Sequence, residues 1–199
     1  MKRNLITRFL TLLVLLGASS AACAHSGHGT SGLVTGLLHP FSGMDHLLAM
    51  LAVGLWAGQN GGRKLWLLPA FFMAMLALGA GVALNHPLLP LIEPGIAASV
   101  LVLGFIIARA LQLSLLVSAG LTALFGLLHG YAHGVEMPGA IEPVEYALGF
   151  LAATATLHLI GILLGVASRG YPARFAQTLG ALIAASGMLM LSMSWALWR

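Results

Sequence analysis

Two short stretches of this chain carry side chains that could bind a metal ion. The first contains His39, Asp45 and His46 within eight positions of a run that is otherwise apolar enough for the middle of a bilayer. An ionisable group at a bilayer centre costs on the order of 3 kcal/mol or more, so such residues usually face a bundle interior and mark a pathway. On an ideal helix, seven residues turn by roughly 700°, which predicts that His39 and His46 lie almost on one line with Asp45 at the flank.

Pro40 adds a backbone feature to this first stretch. Proline removes a backbone donor, so it frees the carbonyl of Gly36 and is expected to kink or start the helix. Two imidazoles, a carboxylate and a free carbonyl could then converge, a donor set that suits nickel, cobalt or zinc better than calcium. The alternative is that these side chains are buried polar groups that only hydrogen-bond to neighbouring helices.

The second stretch presents His129 and His133 at a spacing of i, i+4, followed by Glu136. All three side chains can share one helical face, and this histidine spacing is how a helix offers two imidazoles to one metal ion. Small residues form a separate stripe beside that face and let another helix approach closely. The stripe consists of Gly126, Gly130 and Gly134.

The composition indicates an integral membrane protein. Of 199 residues, 59% are hydrophobic and only 7% are charged, whereas a soluble domain carries about 25% charged residues. No basic stripe with interleaved aromatic residues is present, so nucleic-acid binding is not indicated. The single cysteine, Cys23, excludes a disulfide framework and a cysteine-based zinc or iron–sulfur site.

The first 24 residues have the features of a cleaved signal peptide. A basic start and a short apolar core precede a small-residue cleavage site at Ala22-Cys23-Ala24. We therefore predict a signal peptide over 1–24 and a mature domain over 25–199 that begins with His25. The alternatives are an uncleaved first helix or lipidation at Cys23.

The mature chain has six apolar runs of the length that a bilayer requires, about 20 residues each. The predicted fold is therefore all-α, a polytopic transmembrane bundle of six helices. The predicted spans cover about 33–58, 65–84, 95–111, 113–133, 144–167 and 175–198. We expect the first and fourth spans to pack together across the glycine stripe, so that the two histidine motifs face each other.

The charges predict the orientation of the bundle. Between the first and last predicted spans, Lys and Arg occur only at alternate connections, at Arg63, Lys64, Arg109, Arg169 and Arg174. The charged side chains of the other connections are all acidic. The positive-inside rule places the basic loops in the cytoplasm. A cleaved signal peptide independently places the mature N terminus outside. We therefore predict a bacterial inner-membrane protein with both mature termini in the periplasm.

Several other polar residues have an open role at this point. His158 lies alone within the fifth predicted span, where it could be a deeper ligand or could make only a packing hydrogen bond, so we expect its substitution to be mild. The remaining open positions are His25, His28, His86, Glu142 and Glu145.

With both motifs described, the chain resembles the HupE/UreJ family of membrane proteins, which is associated with hydrogenase and urease genes. The matching segments are His39-Pro40-Phe41-Ser42-Gly43-Met44-Asp45-His46 and His129-Gly130-Tyr131-Ala132-His133-Gly134-Val135-Glu136. Leu128 stands where the family pattern has phenylalanine, at a packing position. The resemblance covers the mature chain and implies secondary transport of nickel, or of cobalt in some members. It implies a metal path through His39, Asp45, His46, His129, His133 and Glu136, the same set that the spacing indicates.

The leading hypothesis is a nickel permease that carries the ion from periplasm to cytoplasm for hydrogenase or urease maturation. The alternatives are a cobalt permease, a metal-binding accessory protein of the membrane, and an intramembrane metalloenzyme. The sequence contains no Walker A pattern and no His-Glu-x-x-His or nucleophile elbow, so we predict that it is not an enzyme. The expected partners are the lipid bilayer and a transported divalent ion, with no permanent cofactor. The sequence leaves open which ion drives transport, whether the protein forms a homo-oligomer, and whether a downstream nickel chaperone receives the ion.

Overall fold

The computed structural model describes residues 31–84, 91–139 and 141–196, and within these ranges it is all-helical. Its elements are α1 (Gly32–Leu38), a 3-10 turn (His39–Phe41), α2 (Met44–Asn60), α3 (Lys64–Ala83), α4 (Ile92–Ala108), α5 (Leu115–Glu136), α6 (Pro143–Ser168) and α7 (Ala173–Ala196). The predicted all-α class is thereby confirmed for the described ranges. The predicted signal peptide, His25, His28, His86 and the C-terminal Trp198-Arg199 lie outside them.

The apolar lengths of the helices support part of the predicted span count. Within the described ranges, four helices, α3, α5, α6 and α7, are long and apolar enough to cross a membrane, and α1 with α2 passes the same test as one broken pair. The apolar α4 has 17 residues, or about 25 Å at 1.5 Å per residue, against a hydrocarbon core of about 30 Å. The count of six spans stays a prediction that depends on α4 and on the broken pair.

The predicted span over 33–58 is broken beside Pro40, where we expected a kink or a helix start. The expectation that His39 and His46 lie almost on one line of an ideal helix is wrong. The chain bends by 81° between the helix that ends at Phe41 and the one that begins at Met44. Pro40 lies in the 3-10 turn, where its ring is compatible with the backbone but cannot continue an α-helix. Gly43 is then extended, with φ −107° and ψ 119°, and α2 starts after it. The break places the first motif at a helix start instead of along a helix face.

Glycines set the distance between α2 and α6, which run in the same direction. A Cβ on Gly54 would lie 3.0 Å from the Cα of Gly161, and a Cβ on Gly58 would lie 2.9 Å from the Cα of Gly165. The two backbones therefore touch, as small residues allow in lipid. Both glycine pairs are thus points of close helix packing.

The glycine stripe of α5 does not pack against α2, so that part of our packing prediction is wrong. Its glycines meet the backbone of α3: Gly126 faces Phe72, Gly130 faces Leu76 and Gly134 faces Ala80. The numbers increase together, so α3 and α5 run in the same direction. The glycine stripe of α5 therefore packs against α3, and the histidine face of α5 is available to contact other helices.

The third helix pair, α4 and α7, is antiparallel. A Cβ on Gly104 would meet Ala184, and a Cβ on Gly180 would meet Ala108. With α2 parallel to α6 and α3 parallel to α5, these directions are the ones that six alternating crossings would produce.

Basic residues tie together the helix ends that we predict to be cytoplasmic. The Lys64 ammonium donates a hydrogen bond to the Leu113 carbonyl at 2.6 Å. The Arg169 guanidinium donates to the Gly58 carbonyl. Both cations thus satisfy carbonyls that a helix end or loop leaves free.

We expect a reporter protein inserted at Gly61 or Gly170 to lie in the cytoplasm. A reporter fused after Arg199 should lie in the periplasm. The reason is the confinement of Lys and Arg to alternate loops. Paired fusions to alkaline phosphatase and green fluorescent protein measure this directly. A cytoplasmic signal from the C-terminal fusion would show that the span count is wrong and would place the error near Arg109.

Candidate metal site

The two histidine motifs face each other, as predicted, although not across the glycine stripe. His39 Nε2 lies 2.9 Å from Glu136 Oε2, a contact between the 3-10 turn and the last turn of α5. The His39 and His133 ring centroids are 4.8 Å apart. The bend after His39 makes this possible because it moves the turn away from the axis of α2.

His39, His133 and Glu136 form the outer part of the site. One ligand atom from each lies within 4.8 Å of the other two. Glu136 is exposed and His133 is fully buried, with His39 between these extremes. Two imidazoles and a carboxylate in this arrangement could hold a divalent transition metal ion.

An open vestibule leads to this outer part. It is lined by His39, Ser42, Gly43, Asp45, His46, Glu93 and Glu136. Glu93, in the first turn of α4, adds a third carboxylate to those of Asp45 and Glu136. Three carboxylates around one opening favour the approach of cations.

His46, His129 and His133 form a buried cluster below the vestibule. The His46 ring centroid lies 4.3 Å from that of His133 and 4.8 Å from that of His129. Four ring nitrogens in this cluster have no hydrogen-bond partner among the described residues: His46 Nε2, His129 Nδ1 and both nitrogens of His133. A buried polar atom without a partner costs about 1–3 kcal/mol. A metal ion that enters this cluster would find nitrogens there that no protein group occupies.

Asp45 determines which His46 nitrogen carries the proton. Its Oδ1 lies 2.8 Å from His46 Nδ1 and also accepts the His46 backbone N–H at 2.8 Å. A carboxylate accepts only, so Nδ1 carries the proton and Nε2 keeps its lone pair. Carboxylate support of this kind orients metal-binding histidines and raises their basicity.

Ser99 determines which nitrogen of His129 carries the proton. The Ser99 hydroxyl donates to the Ile96 carbonyl at 2.6 Å, and its oxygen lies 2.8 Å from His129 Nε2. Because the hydroxyl hydrogen is used, Nε2–H must be the donor, which leaves the lone pair on Nδ1. Both His46 and His129 therefore keep a lone pair on a buried nitrogen that has no hydrogen-bond partner among the described residues.

Helix α6 supplies an aromatic wall beside the histidines. The Phe150 ring stacks on His133 with a centroid distance of 5.1 Å and an interplanar angle of 18°. The Tyr146 ring lies 5.6 Å from His39. One turn separates the two aromatic residues, so a single face of α6 fixes the orientation of both imidazoles.

Sequence reasoning did not select Ser99, Glu93, Tyr146 or Phe150. In the sequence, Ser99 is only a hydroxyl in an apolar span. Glu93 contributes only to the predicted orientation of the bundle in the membrane. Ser99 becomes part of the site because α4 packs against α5 and brings it to His129. Glu93 becomes part of it because the first turn of α4 lines the vestibule.

Glu145, whose role was open, accepts the Gly32 backbone N–H at 3.1 Å and so satisfies a donor at the start of α1. Glu142 immediately precedes α6 and is exposed. Neither residue lines the vestibule described above.

These features define a class: a helical membrane protein whose apolar helices enclose a histidine and carboxylate site open at one end. A family model described as HupE / UreJ protein matches residues 13–190, and the chain belongs to this family. It is 40% identical over 162 residues to Protein HupE of Rhizobium leguminosarum bv. viciae, across 81% of this chain and 84% of that protein. The resemblance noted from the motifs is therefore confirmed. No solved structure gives a significant match.

Proposed function

We propose that this protein is a secondary transporter of the bacterial inner membrane that carries nickel ions from periplasm to cytoplasm for hydrogenase or urease maturation. The observation that carries the proposal is the buried histidine cluster, whose ring nitrogens lack hydrogen-bond partners among the described residues and which shares His46 with the carboxylate-lined vestibule. Membership of the HupE/UreJ family supports it.

The order of the donors suits stepwise dehydration of a cation. Asp45, Glu93 and Glu136 at the vestibule attract the hydrated ion by charge. His39 and His133 offer the first imidazoles beside Glu136. His46 and His129 then offer nitrogen ligands that nickel prefers to oxygen, so the ion exchanges water for imidazole as it moves inward.

The spacing of the rings favours movement over permanent binding. Successive ring centroids along His39, His133, His46 and His129 are 4.8, 4.3 and 4.8 Å apart. An ion can therefore bind the next imidazole before it leaves the previous one. Neutral imidazole is the ligand form, so metal entry competes with protons and proton coupling is a natural driving force for the cycle.

A cobalt permease is the second candidate, because the same donor set binds cobalt and nickel with similar geometry and only somewhat different affinity. An accessory protein that binds metal without moving it would use the same vestibule. A metalloenzyme would need an open coordination position and a base beside a bound water. The contacts of Asp45 and Glu136 with histidines favour ligand positioning over such a base, so we propose that the protein is not an enzyme.

We expect proteoliposomes that contain only this purified protein to take up radioactive nickel with saturation, and cobalt to compete at higher concentration. The His46→Ala protein in matched vesicles should show at least a tenfold lower initial rate, because it loses the imidazole that links the outer and buried donors. Binding without accumulation in vesicles of wild-type protein would favour the accessory role. Preference for cobalt over nickel would reassign the cargo.

A further inference from the structure

His158 is a buried imidazole that the described path does not use. Its side chain is 2% exposed, and neither of its ring nitrogens has a hydrogen-bond partner in the part of the chain that the structure describes. The packing hydrogen bond that the sequence allowed is therefore not formed there. The expectation of a mild substitution rested on that bond and loses its basis.

His158 lies deeper in the bundle than the buried cluster. Its carbonyl group is next to Gly54 on the parallel helix α2. Gly54 is eight residues beyond His46, or about 12 Å further along the helix. In the predicted orientation, this depth is on the cytoplasmic side of the cluster.

The aromatic ring of Phe72 connects the cluster to His158. The Phe72 ring centroid lies 5.7 Å from that of His129 and 5.2 Å from that of His158. His158 is thus one aromatic ring away from the last nitrogen ligand of the cluster.

Two further buried side chains with lone pairs, Met50 and Thr154, contact each other near these histidines. Met50 lies one turn beyond His46 on α2, and its sulfur is 3.4 Å from the Thr154 hydroxyl. Thr154 lies one turn before His158 on α6, so both side chains share one face. The Thr154 hydroxyl donates to the Phe150 carbonyl at 2.8 Å, which leaves its oxygen lone pairs available.

We propose that His158 is a ligand of an inner binding station, distinct from the outer site and the buried cluster, for a borderline divalent ion such as nickel. The donor that suits such an ion is the His158 imidazole, and both of its nitrogens are buried and unpartnered among the described residues. The direction of transfer, from the His46 and His129 pair to His158, rests on the proposed transport function. Occupancy of His158 by metal does not.

The test replaces His158 with a ligand that reports on the metal. In a Cys23→Ser background, His158→Cys provides the only thiol, and a metal-bound thiolate gives a charge-transfer absorption band in the near ultraviolet. Leu157→Cys is the matched control, because Leu157 is equally buried on the same helix but faces about 100° away. Both proteins are purified in detergent and titrated with nickel alone. His158→Leu is assayed for nickel uptake in proteoliposomes and for nickel binding.

We expect a saturable band with His158→Cys and none with Leu157→Cys. We expect His158→Leu to bind nickel at the outer site with wild-type affinity but to lose at least tenfold in uptake rate, with partial recovery in His158→Cys. Absence of the band from a His158→Cys protein that binds nickel would overturn the inner station, as would wild-type uptake by His158→Leu. If the band appears but wild-type vesicles accumulate no nickel, the station stands and the transport function fails.

Discussion

Asp45→Asn is expected to reduce nickel uptake at least 100-fold while the protein still accumulates in the membrane. The substitution keeps the side-chain volume but removes the negative charge that offsets the dication. It also allows the amide NH2 to donate to His46 Nδ1, the atom that now lies 2.8 Å from the carboxylate. The imidazole proton would then move to Nε2, the buried nitrogen that has no hydrogen-bond partner among the described residues, and its lone pair would no longer be available to a metal ion.

The size of this effect follows from the general behaviour of buried histidine and carboxylate pairs. Asparagine in place of the aspartate that orients a catalytic histidine lowers rates by about 10,000-fold through the wrong tautomer. Metal affinity typically falls 10- to 100-fold when a partner of a ligating histidine is removed. Loss of charge adds to this at Asp45, because Asp45 also lines the vestibule.

Glu142→Gln is the matched control for Asp45→Asn, because it removes a carboxylate that is exposed and lies outside the vestibule lining. We expect it to transport normally. Uptake rate in cells and membrane abundance by immunoblot are measured together for both variants. Wild-type uptake by an Asp45→Asn protein of normal abundance would refute the metal path through α2.

The second large effect is expected for Gly130→Ala, through packing and not through ligand loss. The added Cβ would lie 2.6 Å from the carbonyl carbon of Leu76 and 2.7 Å from its Cα, and backbone atoms cannot turn aside. Overpacking of this kind costs about 1–3 kcal/mol. Helix α5 must then move away from α3, and it carries His129 and His133 with it.

We therefore expect Gly130→Ala to lower the thermal midpoint in detergent by several degrees and the uptake rate at least tenfold. Gly120→Ala is the internal control, because Gly120 lies in the same helix and no described neighbour comes within 4 Å of the added Cβ. Alanine favours a helix by about 1 kcal/mol over glycine, so this variant should be neutral or more stable. Equal thermal midpoints for the two variants would contradict the close contact between α3 and α5.

The six candidate ligands in the two histidine motifs could be selected from the sequence, because the information lies within single segments. The i, i+4 spacing of His129 and His133 survives in any helix, and α5 is a regular helix through both positions. Ionisable groups in apolar runs are costly in lipid wherever the helices pack. The all-α class followed from the same runs, since only helices or closed barrels satisfy backbone groups in a bilayer.

The sequence by itself therefore determined the chemistry of this protein: which donors are present, and on which apolar segments. Only the tertiary structure decided how the donors meet. The glycine stripe could have packed against any apolar helix, because lipid-facing helices present similar surfaces, and it packs on α3 instead of α2 through backbone contacts at Leu76 and its neighbours. Pro40 could have bent a span or begun one, and with the extended Gly43 it produces an 81° break. The packing of the helices also determines the contacts of Ser99, Glu93 and His158. The sequence of one helix does not specify which residues of other helices its side chains will contact.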